Sequence, residues 1–228
     1  MEIHGLQKMT LLDYPGFVAC TVFLGGCDLR CPFCHNAELI DGTAPPVMDS
    51  DSLLAFLQKR RGLLDGVAIT GGEPLLRDLA PLLREIRALG FSVKLDTNGF
   101  HPGALRSLLA EGLVDYVAMD VKNSPERYAE TAGVPGLDIA PLYDSIALLL
   151  GGETDYEFRT TAVAELHDAA SFAAIGAMIR GAKRYFIQPF TDRDSVPFAG
   201  LHAPSAEALE RFAEAARPFA QRVEIRGA

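Results

Sequence analysis

Short β-branched and apolar runs recur along the chain at Phe17–Leu24, Gly66–Thr70, Ser92–Asp96, Tyr116–Val121, Tyr156–Ala164 and Arg184–Gln188. The segments between them have helical periodicity. Asp49–Leu64, entered through MDSDSLLAFL, places Asp49 or Ser50 to cap a helix. Leu75–Leu89 (LLRDLAPLLREIRAL) spaces leucines three and four apart and stops at Gly90, a C′ glycine. Pro102–Ala110, Ala140–Leu150 and Asp168–Arg180 follow the same pattern, and Ser205–Phe219 predicts one more helix before a last strand at Val223–Ile225. Every gap between strands thus holds a helix, which predicts βαβ units and a parallel sheet with right-handed crossovers. Six such units can form an open doubly wound sheet or an incomplete (β/α) barrel, and periodicity alone does not choose between them.

The 228 residues suit a single domain over 1–228, large enough to bury a core without disulfides. Hydrophobic residues at 49% and charged ones at 22% describe an ordinary globular chain. A net charge of −9 excludes a chain-wide basic footprint for nucleic acid. The longest apolar stretch, Phe172–Ile179, falls far short of the roughly twenty residues a bilayer-spanning helix needs. The opening MEIHGLQKMTLLDYPG carries no signal-peptide pattern, so the expected location is the cytoplasm, with neither nucleic acid nor membrane as partner.

Of four cysteines, Cys27, Cys31 and Cys34 form a C-x₃-C-x₂-C run directly after the first predicted strand, while Cys20 lies inside that strand and reads as a buried small residue. Three thiolates on one tight loop can each ligate one iron of a four-iron cubane, which leaves the fourth iron open for substrate. A Cys₃His zinc knuckle completed by His35 or His4 is the alternative, although zinc sites space their thiolates as two distant pairs. A dithiol of Cys31 and Cys34 would leave Cys27 without a role. Gly71-Gly72-Glu73-Pro74 follows the second predicted strand. The glycines allow close backbone approach, Glu73 offers a carboxylate, and Pro74 can start a helix, but a plain βα turn would also account for them.

The three cysteines, with Phe33 before the last of them and GGEP after the second strand, resemble the radical S-adenosylmethionine (SAM) superfamily. Leu12-Asp13-Tyr14-Pro15-Gly16, Cys34-His35-Asn36, Leu95-Asp96-Thr97-Asn98-Gly99 and Asp120-Val121-Lys122 are similar to segments of the glycyl-radical-enzyme activases. GLQKMTLLDYPG together with CPFCHN most resembles the activating proteins of anaerobic ribonucleoside-triphosphate reductases. The likeness runs from Gly5 to Phe190, a motif-bearing core of about 5–191, and the C-terminal extension 192–228 carries none of it.

The resemblance implies an incomplete (β/α)6 TIM-like barrel. It implies a single 4Fe–4S cluster held by Cys27, Cys31 and Cys34, with SAM chelating the unique iron. Cofactor-binding roles fall to Phe33, Gly71, Gly72, Glu73, Pro74, Asp96, Asn98, Asp120 and Gln188. Glu73 and the two glycines meet the methionine ammonium, Phe33 lies near adenine, and Asp96 and Asp120 hold a monovalent cation. Lys122 and Arg159 lie near the cofactor carboxylate or the incoming peptide, and Asp13 and His35 face the target glycine. Each has a plainer reading. Asp96 could cap the Asn98-Gly99 turn, Arg159 could pair with Glu157, and His35 could be structural. One departure stands out: relatives with Pro-[Phe/Tyr]-His after the sixth strand place a histidine at the cofactor, where this chain has Pro189-Phe190-Thr191.

Independently of the family, the cysteine loop, Gly71–Pro74, Asp96–Gly99, Asp120–Lys122 and Gln188–Pro189 all fall at carboxyl ends of predicted parallel strands, where barrel active sites are built. The implied reaction is reductive cleavage of SAM and generation of a glycyl radical on a partner, the anaerobic ribonucleotide reductase, with flavodoxin or ferredoxin as electron donor. With one cysteine left over, auxiliary clusters are excluded. The competing functions are the activase of a pyruvate formate-lyase-like enzyme, a radical enzyme acting on a small molecule such as a deazapurine synthase, and a non-enzymatic metal module.

Overall fold

In a computed structural model, residues 1–40 and 43–227 are described; residue 228, the last of the expected extension, lies outside them. The chain divides into two compact units. The first comprises residues 1–28, 38–97 and 101–117; the second comprises 29–37, 98–100 and 118–228.

The first unit opens with β1 (Glu2–Ile3) and β2 (Gly5–Thr10), followed by β3 (Ala19–Leu24). After the short α1 (Ala37–Ile40) come β4 (Met48–Asp49), α2 (Ser50–Gln58), β5 (Gly66–Gly71), α3 (Ala80–Ala88), β6 (Ser92–Thr97) and α4 (Pro102–Ala110). β3 pairs in parallel with β5, and β5 with β6, so that Cys20 stands opposite Val67 and Ala68 opposite Lys94. β3 and β5 are buried on both faces, as an enclosed parallel sheet requires, and their runs are largely apolar without alternation.

β7 (Tyr116–Asp120) leads from the first unit into the second, which continues with α5 (Tyr128–Thr131), α6 (Ala140–Gly151), β8 (Asp155–Ala162), α7 (Ala169–Met178), β9 (Tyr185–Pro189), α8 (Ala206–Ala216) and β10 (Val223–Ile225). β8 and β9 pair in parallel, as do β9 and β10. Val121 N–H donates to the Arg159 carbonyl, which aligns the end of β7 with the middle of β8. Asp168 caps α7 in a reciprocal capping box with Ser171, and Phe172 stacks on Phe212 of α8 at 4.6 Å. β10 is anchored through Arg226, whose guanidinium makes two 2.9 Å bonds to the fully buried Glu157 and covers the Phe186 ring. The last strand is therefore tied to a buried carboxylate of the core by an ion pair.

All six predicted strands and the last one form, within two residues of their expected ends. Three features differ. β2 is antiparallel to β3, and the β1–β4 ladder is a separate antiparallel pair. The helix expected over Leu75–Leu89 is two pieces: a 3₁₀ turn at Pro74–Leu76 and then α3, because Glu73 caps the Leu75 N–H and Asp78 takes the Ala80 N–H just before Pro81. The helix expected over Asp49–Leu64 stops at Gln58.

Candidate active site

In the first unit, the root of the cysteine loop is fixed by backbone bonds at the carboxyl ends of β3 and β5. Gly72 N–H donates to Leu24 O at 2.9 Å, Glu73 N–H to Gly26 O at 2.7 Å, and Gly26 N–H to Leu39 O at 2.6 Å. The two glycines of GGEP serve this junction. A Cβ on Gly72 would lie 2.0 Å from Gly26 O, and one on Gly71, where φ is +128°, would lie 2.2 Å from Leu24 O. Close approach to the cysteine loop itself accounts for both glycines. Glu73 is completely buried, and its carboxylate accepts from Leu75 N–H at 3.0 Å and Thr97 Oγ at 2.8 Å. Asp28, next to Cys27, accepts from His101 Nε2 at 3.0 Å, and this bond raises the His101 pKa against the effect of burial.

Within β6, Lys94 is 2% exposed and its ammonium donates to Asp96 Oδ1. Asn98, the first residue of the second unit's 98–100 segment, takes the turn-capping role considered for Asp96. Its Oδ1 accepts from Phe100 N–H at 3.0 Å, and Gly99 has φ +82° because a side chain there would strike Met119.

In the second unit, Cys34 N–H donates to Cys31 O at 3.1 Å, closing the C-x₂-C segment into a tight turn. Burial pushes the Cys31 thiol up to about 11; Lys122 opposes this, while Cys34 and Asp120 reinforce it. Phe33 is buried. Asp120 is the hub of the unit: Lys122 Nζ donates to one of its oxygens at 3.0 Å and Arg159 Nε to the other at 2.9 Å. Burial opposes ionisation of Asp120, but these two cations outweigh it and hold its carboxyl at about 2. Arg159 pairs with Asp120 and Glu157 with Arg226, and Arg159 lies level with Val121 at the end of β7 because β8 is the longer strand. Lys122 is buttressed from behind. Its N–H donates to the Tyr128 hydroxyl at 3.1 Å, and its carbonyl is 2.8 Å from His167 Nε2. His35 stacks on Phe190 with ring centroids 5.6 Å apart and bonds the Thr191 carbonyl at 2.6 Å. Gln188 stands opposite Thr161 in the β8–β9 ladder.

Asp13 is the exception. It lies in the turn entering β3, where Thr21 Oγ donates to it at 2.5 Å and the neighbouring Tyr14 is buried against Gly66. That turn is at the amino end of β3, whereas the cysteine loop leaves the carboxyl end, so within the first unit Asp13 and Cys27 are at opposite ends of one strand. Sequence reading did not single out Asp28, Lys94, His101, Tyr128 or His167. The only signal among them was the spacing of Lys94 from Asp96, two residues along one strand face.

None of the four cysteines forms a disulfide. Among the described residues no group of three or more His, Cys, Asp or Glu stands as it would to hold a metal ion. A three-cysteine cubane does not ask for that convergence, because each thiolate goes to a different iron. Cys27, Cys31 and Cys34, three thiols within eight residues of one loop, are the donor set such a cluster takes.

The sequence profile of the radical SAM superfamily matches residues 21–170. The chain belongs to that superfamily. The radical SAM fold, a mostly parallel α/β arrangement consistent with a partial TIM barrel, agrees with the strands and crossovers described above. The family's cofactors are a 4Fe–4S cluster with three cysteine ligands and SAM, which removes the zinc alternatives. A protein of Methanocaldococcus jannaschii, named provisionally as a glycyl-radical enzyme activating enzyme, is 30% identical over 98% of this chain and 95% of its own length. A 7-carboxy-7-deazaguanine synthase of Koribacter versatilis is 33% identical over 64% of this chain and 62% of its length. Among solved structures, a domain of the pyruvate-formate lyase-activating enzyme of Bacteroides vulgatus aligns over 71% of this chain and 99% of that one, with TM-score 0.57 and 16% identity, a likeness of fold. No helix among the described residues is long and apolar enough to cross a membrane.

Proposed function

We propose that this radical SAM enzyme is a glycyl-radical-enzyme activase and that its partner is an anaerobic ribonucleoside-triphosphate reductase, with a flavodoxin or ferredoxin as electron donor. The activase reading is carried by the near full-length similarity to the Methanocaldococcus protein. The choice of partner rests on the GLQKMTLLDYPG and CPFCHN segments.

Cys27, Cys31 and Cys34 are the ligands in this reading, and Cys20 is a core residue at 0% exposure. A cluster held by Cys27, Cys31 and Cys34 would supply one-electron reduction of SAM, and bound SAM would supply hydrogen-atom abstraction at a glycine Cα. The chain's own residues bind and orient. Glu73 is a buried carboxylate held by two donors, suited to an ammonium. At Asp120, Lys122 and Arg159 stand together, two cations of the kind that bind the carboxylate of an amino acid. Lys122 remains protonated there, because Asp120 and Cys31 raise its pKa against the effect of burial. Buried Phe33 and the Phe190–His35 stack exclude water from the cysteine turn.

The similarity to the Koribacter enzyme supports a second reading, a small heterocyclic substrate. The two separate in one experiment: anaerobic reconstitution, reduction, and measurement of 5′-deoxyadenosine with either a glycyl-radical reductase or a purine-like heterocycle present. Stimulation by the polypeptide is the expected result; stimulation by the heterocycle alone would overturn the activase reading.

A further inference from the structure

β6 carries a buried lysine at its third residue. Lys94 shares one strand face with Asp96, and its 2% exposure removes the water that ordinarily solvates an ammonium. Ala68 stands directly opposite in β5 and leaves room for the lysine stem. The cost of burying the charge is met by Asp96, whose carboxylate accepts from the ammonium.

The family resemblance assigns Asp96 and Asp120 to a monovalent cation. Both carboxylates already hold protein cations: Asp96 accepts from the Lys94 ammonium, and Asp120 from Lys122 and Arg159. A sodium or potassium ion at Asp96 would sit against a desolvated ammonium, and one at Asp120 would be a third positive charge on a single anion. Like charges at that range repel most strongly where water is absent. These residues do not fit a bare cation.

We propose that the Lys94 ammonium is a built-in replacement for that ion. It is tethered, always present and close to potassium in size, so the enzyme binds and cleaves SAM without requiring sodium or potassium. The proposal rests on superfamily membership and not on the identity of the polypeptide substrate, and its test uses no partner.

The cluster-loaded protein and its Lys94→Met variant are compared in potassium, sodium and tetramethylammonium chloride at equal ionic strength, so that screening is constant. The readouts are thermal midpoint and SAM cleavage. The unmodified protein is expected to give the same values in all three salts. In tetramethylammonium, Lys94→Met takes the ammonium from Asp96, whose side chain is 18% exposed, and should lower the midpoint by about 5 °C in a chain of this size. Potassium should recover part of that loss by entering the space the ammonium vacates, and adding Asp96→Asn should recover it without potassium. A rise in midpoint or cleavage of the unmodified protein on adding sodium or potassium would overturn the proposal, whether or not the variant folds. So would a Lys94→Met protein as stable as the parent in tetramethylammonium.

Discussion

At the scale of single residues, the site depends on a few atoms that tolerate no enlargement. Gly72 is the clearest case. Its α-hydrogen faces Gly26 O, and the 2.0 Å separation that a Cβ would have must be relieved by moving the root of the cysteine loop. Gly72→Ala should therefore lower iron content after reconstitution together with the thermal midpoint. Gly103→Ala, where a Cβ meets nothing within 4 Å inside α4, should leave iron content unchanged and stabilise by up to about 1 kcal/mol. The cysteines divide as sharply. Cys31→Ala should abolish the cluster's visible absorption and SAM cleavage, whereas Cys20→Ala should leave both. Equal losses from the two would mean that the ligands are misassigned. Burial holds the Cys20 thiol up at about 12, which keeps it an inert core group.

At the scale of elements, two side chains tie secondary structure to the site from outside it. Arg226 anchors β10 to Glu157, which is 1% exposed, so Arg226→Ala removes two bonds from a buried carboxylate and should cost about 2 kcal/mol in denaturant unfolding. His167 joins the segments that follow β7 and β8. Val163 N–H donates to its Nδ1 at 3.1 Å, which leaves Nε2–H to donate to the Lys122 carbonyl. Only the neutral ring can make both bonds, and burial first, with Arg127 adding to it, lowers its pKa below the ordinary 6.5 against the carbonyl bonds and Asp168. Below pH 6.5 the unfolded ring binds a proton that the folded one refuses, so stability should fall as pH drops through that value and level off below the depressed folded pKa. Denaturant midpoints at pH 7.5 and 5.5 should differ less for His167→Gln, whose amide keeps the donor to Lys122, than for the parent. An equal or larger pH effect in the variant would show that the ring does not titrate this way.

At the scale of the whole molecule, the strand–helix rhythm and the three-cysteine loop were legible because both are local: apolar runs of strand length, and three ligands within a span of eight residues. The edge strand β2 was not legible. Its residues alternate weakly, and three of its six side chains are exposed. The break in Leu75–Leu89 was hidden because the carboxylates of Glu73 and Asp78 cap backbone groups, which no apolar period records. Lys94, in a strand position that reads as solvent-facing, and His167, which acts through a backbone carbonyl, leave no motif at all. Asp13 matched a motif, but the turn that carries it is at the other end of β3 from the cysteine loop. The most direct measurement of the activase function is electron paramagnetic resonance of the anaerobic reductase incubated with this chain, SAM and a reductant. A glycyl radical signal that needs all components and disappears with Cys31→Ala is expected; full SAM cleavage with no radical on the reductase would contradict it.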